Sequence, residues 1–157
     1  HFSSGDSLIV FDLHTGYGPR GSLSILGNPD VPERHRTRIT EMTGRFPVYW
    51  GDDQGFYRVQ GELISLAPVW AGKGEGTGVT LEFGTQNNTG LIGGIKSLYT
   101  MVRDNQGHFY GFRSGRASAR VKQDIRELYY PASETWRSSV LRQAQELLLH
   151  FFTTAAE

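Results

Sequence analysis

The chain has 157 residues, no cysteine, and 16 lysines and arginines that balance 16 aspartates and glutamates. This length suits one domain with a substantial core, and the zero net charge gives no field that would attract nucleic acid or an anionic membrane. Without cysteine there is no disulfide, thiolate nucleophile or sulfur ligand for a metal. No apolar run approaches the roughly 20 residues that cross a bilayer. We therefore expect no nucleic-acid or membrane partner, and we favour a cytoplasmic location.

The first predicted element is a strand that leads into a polar turn. Residues 8–11 form a short, continuous apolar run, which is typical of a central strand covered on both faces. Asp12, His14 and Thr15 follow in the predicted turn, and three glycines follow within residues 16–21. Ligands of open α/β sheets bind just beyond the carboxyl ends of such strands. His14 is therefore the first candidate for a reactive centre.

The rest of the chain alternates predicted strands with predicted helices. The further strands are expected over residues 22–26, 46–50 and 79–83. The helices are expected over residues 32–43, 61–69, 90–103 and 117–129, and from an N-cap at Ser133 to about Phe151. Asp30 is expected to cap the first of them, and residues 71–78 are expected to form a glycine-rich hinge without packing side chains. The pattern predicts an α/β fold.

Residues 16–21 match the G-x-G-x-x-G pattern of dinucleotide-binding sites. That motif requires a helix that begins at the glycines, so that its first amides face the pyrophosphate. Pro19 removes one amide donor, and the residues after Gly21 do not predict a helix. A nucleotide-binding α/β domain that uses Gly16–Gly21 is therefore the weaker alternative.

His14 and Glu82 form the more informative pair. Each lies at or near the carboxyl end of a compact apolar strand, and each is followed closely by glycine and threonine. Because strand ends meet at one edge of a parallel sheet, the two residues are candidates to face the same ligand. A carboxylate inside an apolar run is costly unless it is paired or bound to a metal. On position alone, a functional pair and a purely structural role, as an ion pair or as a satisfied buried histidine, remain equally open.

Three motifs together resemble one known family. Residues 12–19, DLHTGYGP, resemble the third-ligand motif of a bacterial branch of the zinc carboxypeptidase and succinylglutamate desuccinylase superfamily. Residues 81–85, LEFGT, resemble the E-F-G-T motif that carries the catalytic glutamate of that branch. Tyr130-Pro131 with Trp136-Arg137 resembles its C-terminal Y-P…W-R signature. Arg20 departs from the pattern, because the branch more often has an aromatic residue there.

The resemblance implies a mixed central sheet flanked by helices, and zinc-dependent, carboxypeptidase-like hydrolysis of a peptide or amide bond. The implied substrate is a peptide or an acyl-amino acid. Carried over to this sequence, His14 would be the third zinc ligand and Glu82 the general acid/base. Asp12 is our own addition, because it lies two residues before His14 on the same strand face and is expected to orient the imidazole.

Three further residues are candidates for binding a substrate carboxylate, on residue type alone: Arg20, Tyr57 and Arg58.

The main departure from the family concerns the other zinc ligands. A catalytic zinc needs three protein ligands and an open position, and the family takes the first two from a His-x-x-Glu motif upstream of the third. This chain has no such motif, and only thirteen residues precede His14. We therefore expect residues 1–157 to be the C-terminal portion of a single metallopeptidase-like catalytic domain, inactive alone, whose partner is the missing N-terminal half. The other alternative is a non-catalytic binding module on the same fold.

Overall fold

The computed structural model describes residue 3 and residues 6–51, 61–86 and 91–155. A mixed four-stranded sheet is flanked by helices, which confirms the predicted mixed α/β class. The strands are β1 (Ser7–Pro19), β2 (Leu23–Gly27), β3 (Val48–Trp50) and β4 (Glu75–Gln86). The helices are α1 (Glu33–Thr43), α2 (Ala67–Ala71), α3 (Leu91–Tyr110), α4 (Gly115–Tyr129) and α5 (Glu134–Ala155), and a short 3-10 turn (Leu63–Leu66) precedes α2. Within the described residues, no helix has the length and apolar character needed to cross a membrane.

The strand order β1-β4-β2-β3 places β4 inside the sheet and β1 at its edge. Two hydrogen bonds show that β1 and β4 run parallel: the Glu75 amide donates to the Asp6 carbonyl at 2.9 Å, and the Arg20 amide donates to the Gln86 carbonyl at 2.8 Å. β2 and β3 are also parallel, with Ile25 opposite Val48. Almost every residue of β4 is buried. The strand that is covered on both faces is therefore β4, whereas the sequence pattern predicts such a strand at residues 8–11.

The prediction of a central strand that ends at residue 11 is therefore wrong in two respects. Residues 8–11 are only half-buried, and β1 continues as a strand through the predicted polar turn to Pro19. The reason is tertiary: the ladder with β4 supplies backbone partners along the whole segment, which a local reading of polarity does not detect. The apolar run is covered in part by α5, where the Phe11 and Phe151 rings meet edge-to-face at 4.9 Å.

The glycine-rich stretch 71–78 is not the expected hinge, because β4 already begins at Glu75. Gly76 and Gly78 are buried in this strand. A Cβ at Gly76 would overlap the carbonyl oxygen of Ala67, and one at Gly78 would lie 2.6 Å from Cβ of Ile64. The glycines thus allow the 3-10 turn and α2 to pack directly on the β4 backbone.

The helix predictions are mostly confirmed, with differences at their ends. Ser133 accepts a hydrogen bond from the Trp136 amide at 3.3 Å, as expected of an N-cap. Asp30 does not cap α1, whose N-cap is Pro32 without a side-chain cap. The predicted break after residue 103 is absent, since α3 continues to Tyr110.

By its contacts the chain divides into two compact units. The first comprises residues 1–14, 23–82 and 142–157, and the second comprises residues 15–22 and 83–141. The core of the first unit is formed by fully buried aliphatic side chains from strands and helices: Ile25, Ile39, Met42, Ile64, Val79, Leu81 and Leu147. The second unit contains α3, α4 and the start of α5, with Phe83, Val121 and Trp136 buried.

Candidate functional site

His14 lies between two carboxylates in the first unit. Its Nε2 is 3.0 Å from Oδ2 of Asp12, and its Nδ1 is 4.0 Å from Oε2 of Glu82. The His14 side chain is 52% exposed, whereas the Glu82 side chain is 6% exposed. The three predicted residues are thus adjacent, with a buried carboxylate on one side of a solvent-accessible imidazole.

The parallel pairing of β1 with β4 produces this arrangement. Asp12 and His14 are two residues apart in β1, so their side chains lie on the same face of the strand. Glu82 belongs to the neighbouring strand β4. Because β1 is an edge strand, the imidazole stays accessible while Glu82 is buried. The residues meet within the strands rather than beyond their ends, which corrects the expectation that His14 lies in a turn.

The hydrogen bond to Asp12 determines what the other ring nitrogen can do. When Nε2–H is donated to Asp12, Nδ1 carries a lone pair on the side of Glu82. The separation of 4.0 Å is too long for a hydrogen bond between the imidazole and the Glu82 carboxylate. A lone pair that faces a carboxylate oxygen is stabilised by a cation between them. The arrangement therefore suits a bound cation.

Glu62 is a further carboxylate near this cluster that sequence reasoning did not identify. Burial raises the pKa of Glu62 above its usual range, and the negative charges of Asp12 and Asp30 raise the pKa further. Its carboxyl group therefore holds a proton to higher pH than an isolated glutamate does. No motif surrounds Glu62, so the only signal is its tertiary proximity to other acids.

The donor types at the site match zinc, but the described residues do not complete a zinc site. A ring nitrogen and carboxylate oxygens are common zinc ligands. Within the part of the chain that the structure describes, however, no group of three or more histidines, aspartates and glutamates is placed to hold a metal. A zinc bound at His14 would need ligands from outside the described residues.

The three motifs of the sequence converge in the second unit. Oγ1 of Thr85 lies 2.8 Å from the Gly16 carbonyl and 2.6 Å from the Leu128 carbonyl. Nε1 of Trp136 donates to the Gly84 carbonyl at 2.8 Å, and the ring of Tyr130 packs edge-to-face on Trp136. The motif residues that follow His14 and Glu82 thus fix the backbones of β1 and β4 to the start of α5.

A family model described as "Protein of unknown function (DUF2817)" matches residues 1–143, a span that includes all three motifs. The chain belongs to the DUF2817 family. No curated protein and no solved structure matches the chain.

The other residues that the sequence of this DUF2817 chain singles out are Arg20, Tyr57, Arg58 and the glycines of β1. Arg20 belongs to the second unit, where its Nη1 donates to the Thr85 carbonyl at 3.3 Å. Tyr57 and Arg58 lie outside the described residues. Gly16 and Gly18 are buried within β1, and residues 20–22 connect β1 directly to β2 without a helix. The helix N-terminus that a dinucleotide motif requires is therefore absent at these glycines.

Proposed function

We propose that this chain supplies the third zinc ligand and the general acid/base of a hydrolase that cleaves a peptide or amide bond. The proposal places the DUF2817 chain in the zinc carboxypeptidase and succinylglutamate desuccinylase superfamily. One observation carries it: His14 is held by Asp12 on one ring nitrogen, while the other nitrogen faces the buried Glu82 at 4.0 Å. The order of the three motifs along the chain supports the same assignment.

Glu82 is suited to move the proton during hydrolysis. In the proposed step, a Glu82 oxygen takes a proton from the attacking water while the water oxygen bonds to the substrate carbonyl carbon. The same carboxyl group then gives the proton to the leaving nitrogen as the C–N bond breaks. Its burial keeps bulk water from competing for the proton. Zinc, when bound, supplies a Lewis acid that polarises the substrate carbonyl and makes the attacking water more acidic.

Asp12 is a positioning residue in this proposal. Its hydrogen bond to Nε2 selects the tautomer of His14 that leaves Nδ1 free to bind a metal. A carboxylate in this position also makes the imidazole a stronger donor to a cation. Asp12 itself need not touch the substrate.

The two further zinc ligands are proposed to come from outside the described residues, from the N-terminal half of the same catalytic domain. Residues 1–157 would then be its C-terminal portion. The proposed substrates are peptides or acyl-amino acids.

The test uses the intact protein that contains this chain. It is incubated with N-acylated amino acids and with short peptides that have a free carboxyl terminus, before and after removal of metal by a chelator. We expect hydrolysis to be lost on chelation and restored by zinc, and we expect the 157-residue chain alone to show neither hydrolysis nor stoichiometric zinc uptake by calorimetry. Hydrolysis that persists after complete removal of metal would contradict the proposal. Absence of hydrolysis with bound metal present would favour a non-catalytic binding module.

A further inference from the structure

A cavity of about 570 Å³ lies in the second unit, within the size range of small-molecule sites. Its walls come from α3, α4, the end of β4 and Arg20. Four cationic and two anionic side chains line it, an excess of two positive charges in a chain with no net charge: Arg20, Lys96, Arg103, Arg120, Asp124 and Glu127. This local excess of positive charge favours the binding of an anion.

Two of the four cations are already held by the protein. Nη1 of Arg103 lies 3.3 Å from Oδ2 of Asp124, and Nη1 of Arg20 donates to the Thr85 carbonyl. The first contact neutralises one pair of charges. The second fixes the Arg20 guanidinium without neutralising it, because a carbonyl carries no net charge.

The other two cations have no such partner. Among the described residues, no carboxylate lies within ion-pair distance of Lys96 or Arg120, although the two side chains line the same cavity. Glu127 keeps its negative charge at the cavity, and its Oε1 accepts a hydrogen bond from the Ala132 amide at 3.0 Å. Like charges that converge on one concave surface repel each other, and a bound anion removes that repulsion.

One neutral donor also lies in the wall. Nε2 of Gln86 donates to Oγ of Ser97 at 2.9 Å, and Oγ of Ser97 donates in turn to the Gly93 carbonyl at 2.9 Å. A side-chain amide has two N–H donors, so these contacts fix the Gln86 amide and leave its second N–H for a ligand. Guanidinium and ammonium groups with neutral donors beside them are the groups that bind phosphate and carboxylate oxygens.

We propose that this cavity binds a small ligand with a doubly charged anionic group, either a phosphate or a pair of carboxylates. Lys96 and Arg120 bind the charged oxygens directly, and Arg20 contributes a fixed guanidinium.

The experiment is calorimetric titration of the intact protein at low ionic strength with two separate probes, inorganic phosphate and succinate. The variants Lys96→Gln and Arg120→Gln remove one cavity charge each. Lys73→Gln and Arg116→Gln are matched controls, because Lys73 and Arg116 are exposed and do not line the cavity. Each of the four variants loses one positive charge. A difference in affinity between the cavity variants and the control variants is therefore due to the cavity.

We expect at least one probe to bind, and we expect each cavity variant to weaken that binding about tenfold, as the loss of one charge-assisted contact does. The controls are expected to bind like the wild type. Tighter binding of phosphate or of succinate identifies whether the cavity prefers a phosphate group or a pair of carboxylates. Binding of neither probe, or equal affinities in the cavity variants and the controls, would overturn the proposal.

Discussion

Replacement of Glu82 by glutamine in the zinc-loaded intact protein is expected to lower kcat for amide hydrolysis by about 10²- to 10⁴-fold, the usual contribution of a general acid/base. Glutamine keeps the shape of the side chain but cannot accept and return a proton. The loss is expected in kcat with little change in KM, because proton transfer stabilises only the transition state. Steady-state kinetics with an N-acylated amino acid measure both constants.

The matched control is Glu75→Gln. Glu75 lies in β4, the same strand as Glu82, but its side chain is 52% exposed, with Oε1 at 3.3 Å from Arg34 and Oε2 at 3.6 Å from Nε2 of His35. Loss of an exposed ion pair costs little, so this variant is expected to retain near wild-type turnover. If Glu82→Gln also turned over at nearly the wild-type rate while hydrolysis remained dependent on zinc, Glu82 would not be the acid/base.

Gly84→Ala is expected to destabilise the fold by about 1–3 kcal/mol, the usual cost of forcing an added methyl into packed structure. A Cβ at Gly84 would overlap the Pro19 carbonyl oxygen and lie 2.6 Å from the Gly18 carbonyl oxygen, and these backbone atoms cannot rotate away. The Gly84 amide also donates to the Ser22 carbonyl at 2.9 Å, so the strand is fixed at this point. The glycine of the EFGT motif therefore has a structural cause for its presence. Urea unfolding measures the loss of stability, as a lower midpoint concentration of urea with an unchanged m-value.

Gly94→Ala is expected to have the opposite effect on stability, measured in the same way. Gly94 is exposed in α3, and an added Cβ would meet nothing within 4 Å. Alanine in an exposed helix position is expected to stabilise the fold by about 0.5–1 kcal/mol. Equal stability of the two alanine variants would show that β1 and β4 do not approach each other as closely as the structure places them.

Local patterns were sufficient for elements whose apolar residues and end signals agree. The N-cap Ser133 predicted the start of α5, and α1 ends at Thr43 as predicted. Local patterns were not sufficient for β1, because an apolar run looks the same in an edge strand and in a central strand. They also failed for residues 71–78, where glycine reflects close packing of α2 on β4 and not freedom of the chain.

The candidate site divides in the same way. Asp12 and His14 are two residues apart, so their shared strand face follows from the sequence. The proximity of Glu82 to His14 was expected because each lies near the end of an apolar strand and such ends meet in a parallel sheet. Glu62 was not predictable, because its burial and its closeness to Asp12 and Asp30 depend on how the 3-10 turn packs. The basic cavity was not predictable either, since its cations come from separate segments of the chain.

Zinc content is the most direct test of the claim that His14 is a ligand at a hydrolytic centre. The intact protein, purified in parallel with the variants His14→Gln and His108→Gln, is dialysed against a trace of zinc and analysed for metal per chain. His108 is an exposed residue of α3 and serves as the control for loss of a histidine. We expect stoichiometric zinc in the wild type and in His108→Gln, and loss of zinc together with hydrolysis in His14→Gln. Zinc and hydrolysis at wild-type levels in His14→Gln would contradict it.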